Sequence, residues 1–441
     1  MRAHRLSAIL LVSGLSPMAC GPSPTTTDAS SDASATDVTR TDVSVPNDNT
    51  DPTDGMSTGS ADGSHDQFVP WAGGPEFYRP FAHGPSTDPS YFPIAVWLQS
   101  PSNASRYAAI GVNIFVGLWN TPTMSDLDSL HAANVTGATE LSDATAAFVS
   151  NATLSAWTQQ DEPDNAQWND TTMSYDPCIT PAALQSIYDG WHMRDPSRPI
   201  FLNFGQGVAW TDWIGRGTCT GDLAYYQTAS SAGDILSFDI YPANSRDAAT
   251  AQKLWLVAEG VDRLRMDVGD HKPVWAWIET TQIDSTGGPG PTPAQTRTEV
   301  WMALVHGAMG FGYFAHRISP FDETGLLDDA TMSAAVGMID IEVHSLAPVL
   351  NTQSISNAAT VANGGASEAP IDMMAKRHGG SLYLFAVAMR DQTAHATFTV
   401  PSMPAAARIE VIGESRTITA TAGSFRDDFT GFAVHLYKLT W

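Results

Sequence analysis

Two glutamates stand where their neighbours make a carboxylate conspicuous. Glu162 follows an apolar segment inside Gln160-Asp161-Glu162-Pro163, where Pro163 is expected to hold it extended. Glu279 closes Pro273-Val274-Trp275-Ala276-Trp277-Ile278-Glu279, a run otherwise wholly apolar. A carboxylate ending such a run is costly to bury without a partner or a purpose. Two carboxyl groups facing one another can divide the work of breaking a glycosidic bond: one with a raised pKa protonates the leaving oxygen, and the other attacks the anomeric carbon. A gap of about 5–5.5 Å gives retention of configuration, about 6.5–9.5 Å inversion.

The elements that would position them repeat along the chain. From Pro93 short apolar runs alternate with longer amphipathic ones, the pattern of parallel strands joined by helices. Strands are predicted at Ile94–Gln99, Asn113–Leu118, Val135–Glu140, Leu154–Gln160, Ile200–Gly205, Ile235–Tyr241, Val274–Glu279 and Gly310–Ala315. Thr180-Pro181 and Thr292-Pro293 pair an N-cap threonine with proline at the first helical position, and Gln295 completes a capping box. Eight such steps from Pro93 to Leu350 span 258 residues, close to the ~250 of a (β/α)8 TIM barrel, so 67–350 reads as the barrel domain. A doubly wound sheet would want a glycine-rich phosphate loop after its first strand, and the sequence has none there. From Met373 a period-two pattern takes over, so 351–441 reads as a small antiparallel β-sandwich.

Barrel enzymes keep their sites at the C-terminal strand ends. Those ends add Asp161, Asn203, Asp239, Tyr241, Trp277, Trp119, Tyr313 and His316 as candidate substrate-binding residues, the aromatic ones offering flat faces to sugar rings. Trp157 and Trp275 read as core. A Glu after the fourth strand and another after the seventh resemble the clan-A glycoside hydrolases. That resemblance, which runs from Pro93 to about Leu350, implies Glu162 as acid/base and Glu279 as nucleophile of a retaining enzyme. It also implies Tyr241 as an aromatic hydroxyl bonded to the nucleophile. Clan members usually carry Asn immediately before the acid/base, and this chain has Asp161 there. Solvent-lined carboxylates of this kind would tolerate Glu162→Gln and Glu279→Gln with stability changes within about 1 kcal/mol.

The first residues carry a different message. Arg2, His4 and Arg5 precede the apolar run Leu6–Leu15, then Ser16-Pro17-Met18-Ala19-Cys20, so 1–20 reads as an export signal. Its end resembles the lipobox of bacterial lipoproteins, which implies acylation of Cys20 and anchorage at a bacterial outer membrane or cell surface. Residues 21–66 contain nine Asp and one Arg (Arg40) and no aromatic residue, the composition of an acidic disordered spacer. In that compartment Cys178 and Cys219 are expected to pair as a disulfide.

The 441 residues, 43% of them hydrophobic, supply a large core, and 47 acidic against 22 basic residues give a charge of -25. Such a surface repels phosphate backbones, which excludes a nucleic-acid partner. Beyond the N-terminus no stretch reads as a membrane span, leaving the lipid anchor as the expected membrane contact. His131, His192, His271, His306 and His316 lack paired spacing, and no nucleotide or flavin signature occurs, so no metal or cofactor is implied. The expected partner is an extracellular poly- or oligosaccharide. The alternative is a non-catalytic, surface-anchored carbohydrate-binding protein on the same barrel.

Overall fold

The computed structural model describes residues 66–441, apart from positions 170, 214, 216–218, 402 and 406. The export signal, Cys20 and all but the last residue of the spacer lie outside the described residues. Eight parallel strands close a barrel in sequence order: β1 (Ile94–Gln99), β2 (Ile114–Leu118), β3 (Thr136–Thr139), β4 (Leu154–Thr158), β5 (Ile200–Phe204), β6 (Ile235–Asp239), β7 (Val274–Glu279) and β8 (Gly310–Phe314). Closure pairs Ile94 with Phe311 and Val96 with Tyr313. The predicted barrel strands are all present, trimmed by one or two residues at seven of their sixteen ends.

Side chains alternate across this sheet. Ala95, Trp97, Val116, Phe201, Trp275, Trp277 and Phe314 form an inner cluster, while Ile94, Val96, Phe115, Leu236, Phe238, Val274 and Phe311 pack outward. Trp277 lies across β8, where a Cβ on Gly312 would come within 2.1 Å of its ring, so only glycine fits there. Trp97 meets Trp277 edge-to-face at 5.1 Å, and Phe201 meets Trp275 at 5.3 Å. Tyr78, from the turn Gly74–Tyr78, joins this cluster, and nearby His83 N–H donates to Ser197 O just before β5 at 2.8 Å. This segment therefore stoppers the N-terminal end of the barrel. A filled interior leaves the C-terminal rim as the place for chemistry.

Among the described residues eight helices accompany the strands: α1 (Ala104–Ala108), α2 (Met124–Ala132), α3 (Pro181–Arg194), α4 (Leu223–Ala229), α5 (Leu256–Asp267), α6 (Pro293–Val305) and α7 (Ala330–Leu350), with a four-residue helix at Gly325–Asp328 just before α7. Thr180 and Thr292 cap α3 and α6 as expected, and Gln295 completes the box on α6. On composition alone α7 is long and apolar enough to cross a membrane, which departs from the sequence reading. It packs here as a barrel helix, with Asp340 bonded to Tyr313 and Glu342 to Arg297 and Trp301.

The C-terminal region forms two antiparallel sheets, one of β10 (Ile371–His378), β11 (Ser381–Ala388), β16 (Val434–Thr440), β13 (Arg408–Val411) and β14 (Arg416–Thr419), the other of β9 (Thr360–Ala362), β12 (Ala394–Thr399) and β15 (Ser424–Phe429). Phe398, Phe425, Leu384 and Tyr437 share the core between them. Strand β11 is buried throughout because its other face, through Phe385 and Val387, packs with the barrel's helices; Trp301 lies 5.3 Å from Phe385. Charged residues interrupt the period-two pattern in β10 (Asp372, Lys376 and Arg377) and in β15 (Arg426, Asp427 and Asp428). Asp66, the first described residue, meets Arg377 through its carboxylate at 2.8 Å.

Candidate active site

Past the end of β4 the chain turns at Asp161-Glu162-Pro163. Glu162 has φ 42°, a left-handed conformation in place of the expected extended one. Three bonds hold it there. Its N–H donates to Asn203 O at 3.1 Å, and its carbonyl accepts from Asn165 N–H at 3.0 Å and Gln167 Nε2 at 2.9 Å. A non-glycine residue in this region costs of order 1 kcal/mol, and such strain concentrates at functional sites. The Glu162 carboxylate accepts from Asn165 Nδ2 at 3.1 Å. It lies so close to β5's end that a Cβ on Gly205 would come within 3.1 Å of Oε1.

Asn203, near the end of β5, links three strands. Its Nδ2 donates to Asp161 Oδ1 at 2.9 Å and reaches Asp239 Oδ1 at 3.5 Å, while its Oδ1 accepts from Ser237 Oγ at 2.6 Å. One amide group thus brings carboxyls from the ends of β4 and β6 together. Asp239 is buried, and burial followed by the charges of Glu162, Asp161 and Asp164 pushes its pKa well above the usual range, which favours its protonated form. Asp164 is pushed up to about 6, chiefly by burial and then by Glu162. It accepts from Gly205 N–H at 2.9 Å and Tyr226 Oη at 2.8 Å. Tyr241 lies against Phe314, ring centres 5.1 Å apart, and its phenol is raised by burial and by Asp239.

Glu279 corrects the expectation of an open nucleophile. It has no exposed surface. Its carboxylate accepts from Ala243 N–H at 2.6 Å, Asn244 N–H at 2.9 Å and Asn244 Nδ2 at 2.6 Å. Glu299 of α6, equally buried, lies against it; burial and the neighbouring charge keep Glu299 protonated, so it donates to Glu279. Burial raises Glu279 to about 6, with the four donors pulling the other way. The turn that follows β6 lays its N–H groups on this carboxylate, so Glu279 fastens that turn to β7.

Four aromatic or imidazole candidates are also displaced. Trp277 is barrel core, its Nε1 donating to Ser237 Oγ at 3.1 Å. Tyr313 points outward from β8 and donates to Asp340 of α7 at 2.6 Å. His316 is buried under Phe321 and Trp119, donates from Nε2 to Leu98 O at 2.9 Å, and is lowered by burial to about 4, hence neutral. Trp119, 3% exposed, packs on His316 and Phe321 with ring centres 5.5 Å away in each case. None of the four offers a free ring face. The Cys178–Cys219 disulfide forms, with Cα atoms 6.2 Å apart. It ties the loops after β4 and β5 together below Glu162, where Ile179 N–H donates to Pro163 O at 2.9 Å.

The sequence reading missed Asp164, Asn165, Asn244 and Glu299. The first two continue the polar run that begins at Asp161, and Glu299 interrupts the apolar face of α6 beside Val300 and Trp301. Asn244 carried no signal.

No family profile and no curated protein matches this chain. Solved structures that it resembles include a family GH30 endoxylanase from Clostridium papyrosolvens (13% identity, TM-score 0.45, covering 86% of this chain and 98% of that one). An alpha-amylase from Geobacillus thermoleovorans shares 10% identity at a TM-score of 0.49 over 80% and 99% of the chains. Alpha-galactosidase I from Mortierella vinacea shares 9% at 0.47 over 79% and 97%. All three are glycoside hydrolases. At these identities and scores nothing of their activity passes to this chain, and the barrel itself stands on its strand order.

Proposed function

We propose that this protein is a glycoside hydrolase whose working carboxyls are Glu162, after β4, and Asp239, ending β6. The observation that carries the reading is the meeting of Asp161, Glu162 and Asp239 around Asn203 at the rim, where burial and the neighbouring carboxyls favour the protonated form of Asp239. Environments that separate the protonation of neighbouring carboxyls are what divided acid and base roles require. In this reading Asp239 gives its proton to the glycosidic oxygen as the bond to the anomeric carbon breaks. A Glu162 oxygen bonds to that carbon. Water then attacks the same carbon and passes a proton to the Asp239 carboxylate, which releases Glu162 and the sugar. This double displacement corresponds to a carboxyl separation of about 5–5.5 Å, whereas an inverting arrangement needs about 6.5–9.5 Å to hold a water between the groups.

The substrate is proposed to be an extracellular poly- or oligosaccharide, and the protein to be exported and anchored through an acylated Cys20. The non-catalytic binding reading gains nothing, because Trp119, Trp277 and Tyr313 are buried and present no platform. The test is turnover of a panel of poly- and oligosaccharides by wild type, Glu162→Ala and Asp239→Asn, with the anomer of the product followed by proton NMR. Loss of at least about 10²-fold in each variant, and retained configuration from wild type, is expected. Azide should rescue Glu162→Ala as a glycosyl azide. Full activity in either variant overturns its role.

A further inference from the structure

A second cavity, of about 500 Å³, lies at the opposite end of the barrel, between it and the C-terminal sheets. It is lined by the N-terminal segment with Trp71, the end of α5 with Arg265, the loop holding His306, and β10 with Asp372 and Lys376. Its charges are unevenly matched. His306 sits between Asp262 (Nδ1, 2.8 Å) and Asp372 (Nε2, 3.1 Å) and is raised to about 9, so one positive charge is shared by two carboxylates, neither of which pairs with Lys376. Arg265 is committed to Asp270 at 2.7 Å and to His306 O at 2.6 Å. Lys376 is 5% exposed, and among the described residues no carboxylate lies within ion-pair distance of its ammonium. Its bond goes to the neutral carbonyl of Thr352, and its Nζ stands 5.8 Å from the centre of the Trp71 ring.

A buried ammonium without a counter-ion is unfavourable unless something completes it. Burial, and after it the neighbouring cation Arg265, lowers the amine to about 7. A cavity, a buried amine with no carboxylate at ion-pair distance and an aromatic face together make a receptor for a small anion, whose charge would favour the protonated amine. We propose that this cavity is a second ligand site, distinct from the rim carboxyls, which binds a small oxyanion-bearing molecule through Lys376 against Trp71. A carboxylate or a phosphate would supply the missing negative charge, and the indole would pack on the apolar face of an attached ring such as a sugar acid. This proposal does not depend on the glycosidase reading.

The test uses the full chain, with sodium glucuronate, inorganic phosphate and uncharged glucose as probes. Calorimetry at constant ionic strength should show saturable binding of glucuronate or phosphate and none of glucose. Stronger binding of glucuronate would identify a sugar acid, and of phosphate alone a phosphate. Lys376→Met should weaken the bound anion about tenfold or more, the worth of one charged hydrogen bond. A second measurement needs no variant: reductive methylation of Lys376 in wild type, mapped by mass spectrometry, should slow when the binding anion is present. No saturable binding of either anion, equal binding by Lys376→Met, or an unchanged methylation rate would overturn the proposal.

Discussion

Truncation of Glu279 separates the two accounts of this barrel most sharply. In Glu279→Ala, the N–H groups of Ala243 and Asn244 and the Asn244 side-chain amide lose their shared acceptor. A buried donor without an acceptor costs about 1–3 kcal/mol, so three lose at least about 3 kcal/mol and up to about 9. Against this stands the charge itself. Glu279 is held at about 6 instead of 4.5, which makes its ionisation at pH 7 cost the fold about 2 kcal/mol that the variant recovers. A net destabilisation of about 1–7 kcal/mol follows. The assay is guanidinium denaturation at pH 7, beside Asp239→Asn, where an amide replaces a carboxyl that already carries a proton and stability should stay within about 1 kcal/mol. The reasoning fails if Glu279→Ala is as stable as wild type yet inactive while Asp239→Asn turns over. Glu279 would then be an open nucleophile.

Three further perturbations test the scaffold. Glu279 and Glu299 both hold protons on folding that the unfolded chain releases, so stability falls as pH rises from about 4.5 through about 6 for Glu279 and further for Glu299. Glu299→Gln removes one of the two, and its melting temperature should drop less than wild type's between pH 5 and 8; parallel curves would contradict the pairing. Arg198, fully buried, donates to Leu154 O at 2.7 Å, Val149 O at 2.8 Å, Asn151 O at 2.7 Å and Asp195 at 2.7 Å, so Arg198→Met should cost about 3–5 kcal/mol in the same denaturation assay. The Cys178→Ser/Cys219→Ser double variant opens a link spanning 41 residues and should lose up to about 4 kcal/mol, measured against oxidised wild type.

The sequence by itself determined the barrel. Strands buried on both faces must be continuous apolar runs, and eight of them, separated by capped amphipathic segments, admit few other architectures. Local chemistry also made the strand ends legible, so Asp161, Glu162, Asn203 and Asp239 were all named as site candidates from their positions alone. Sequence could not decide which end groups face one another. Glu162 and Glu279 looked equivalent as acids closing apolar strands, but the β6 turn and Glu299 reach Glu279 from distant parts of the chain and enclose it. Tyr313 and Gly312 are neighbours on β8, yet one faces α7 and the other faces Trp277, a matter of register and pleat. The pairing of Asp161 with Asp239 through one amide, and the isolation of Lys376 between two domains, depend on separations in space that residue order does not encode. Burial and charge proximity are properties of the packed molecule, and only tertiary structure assigns them.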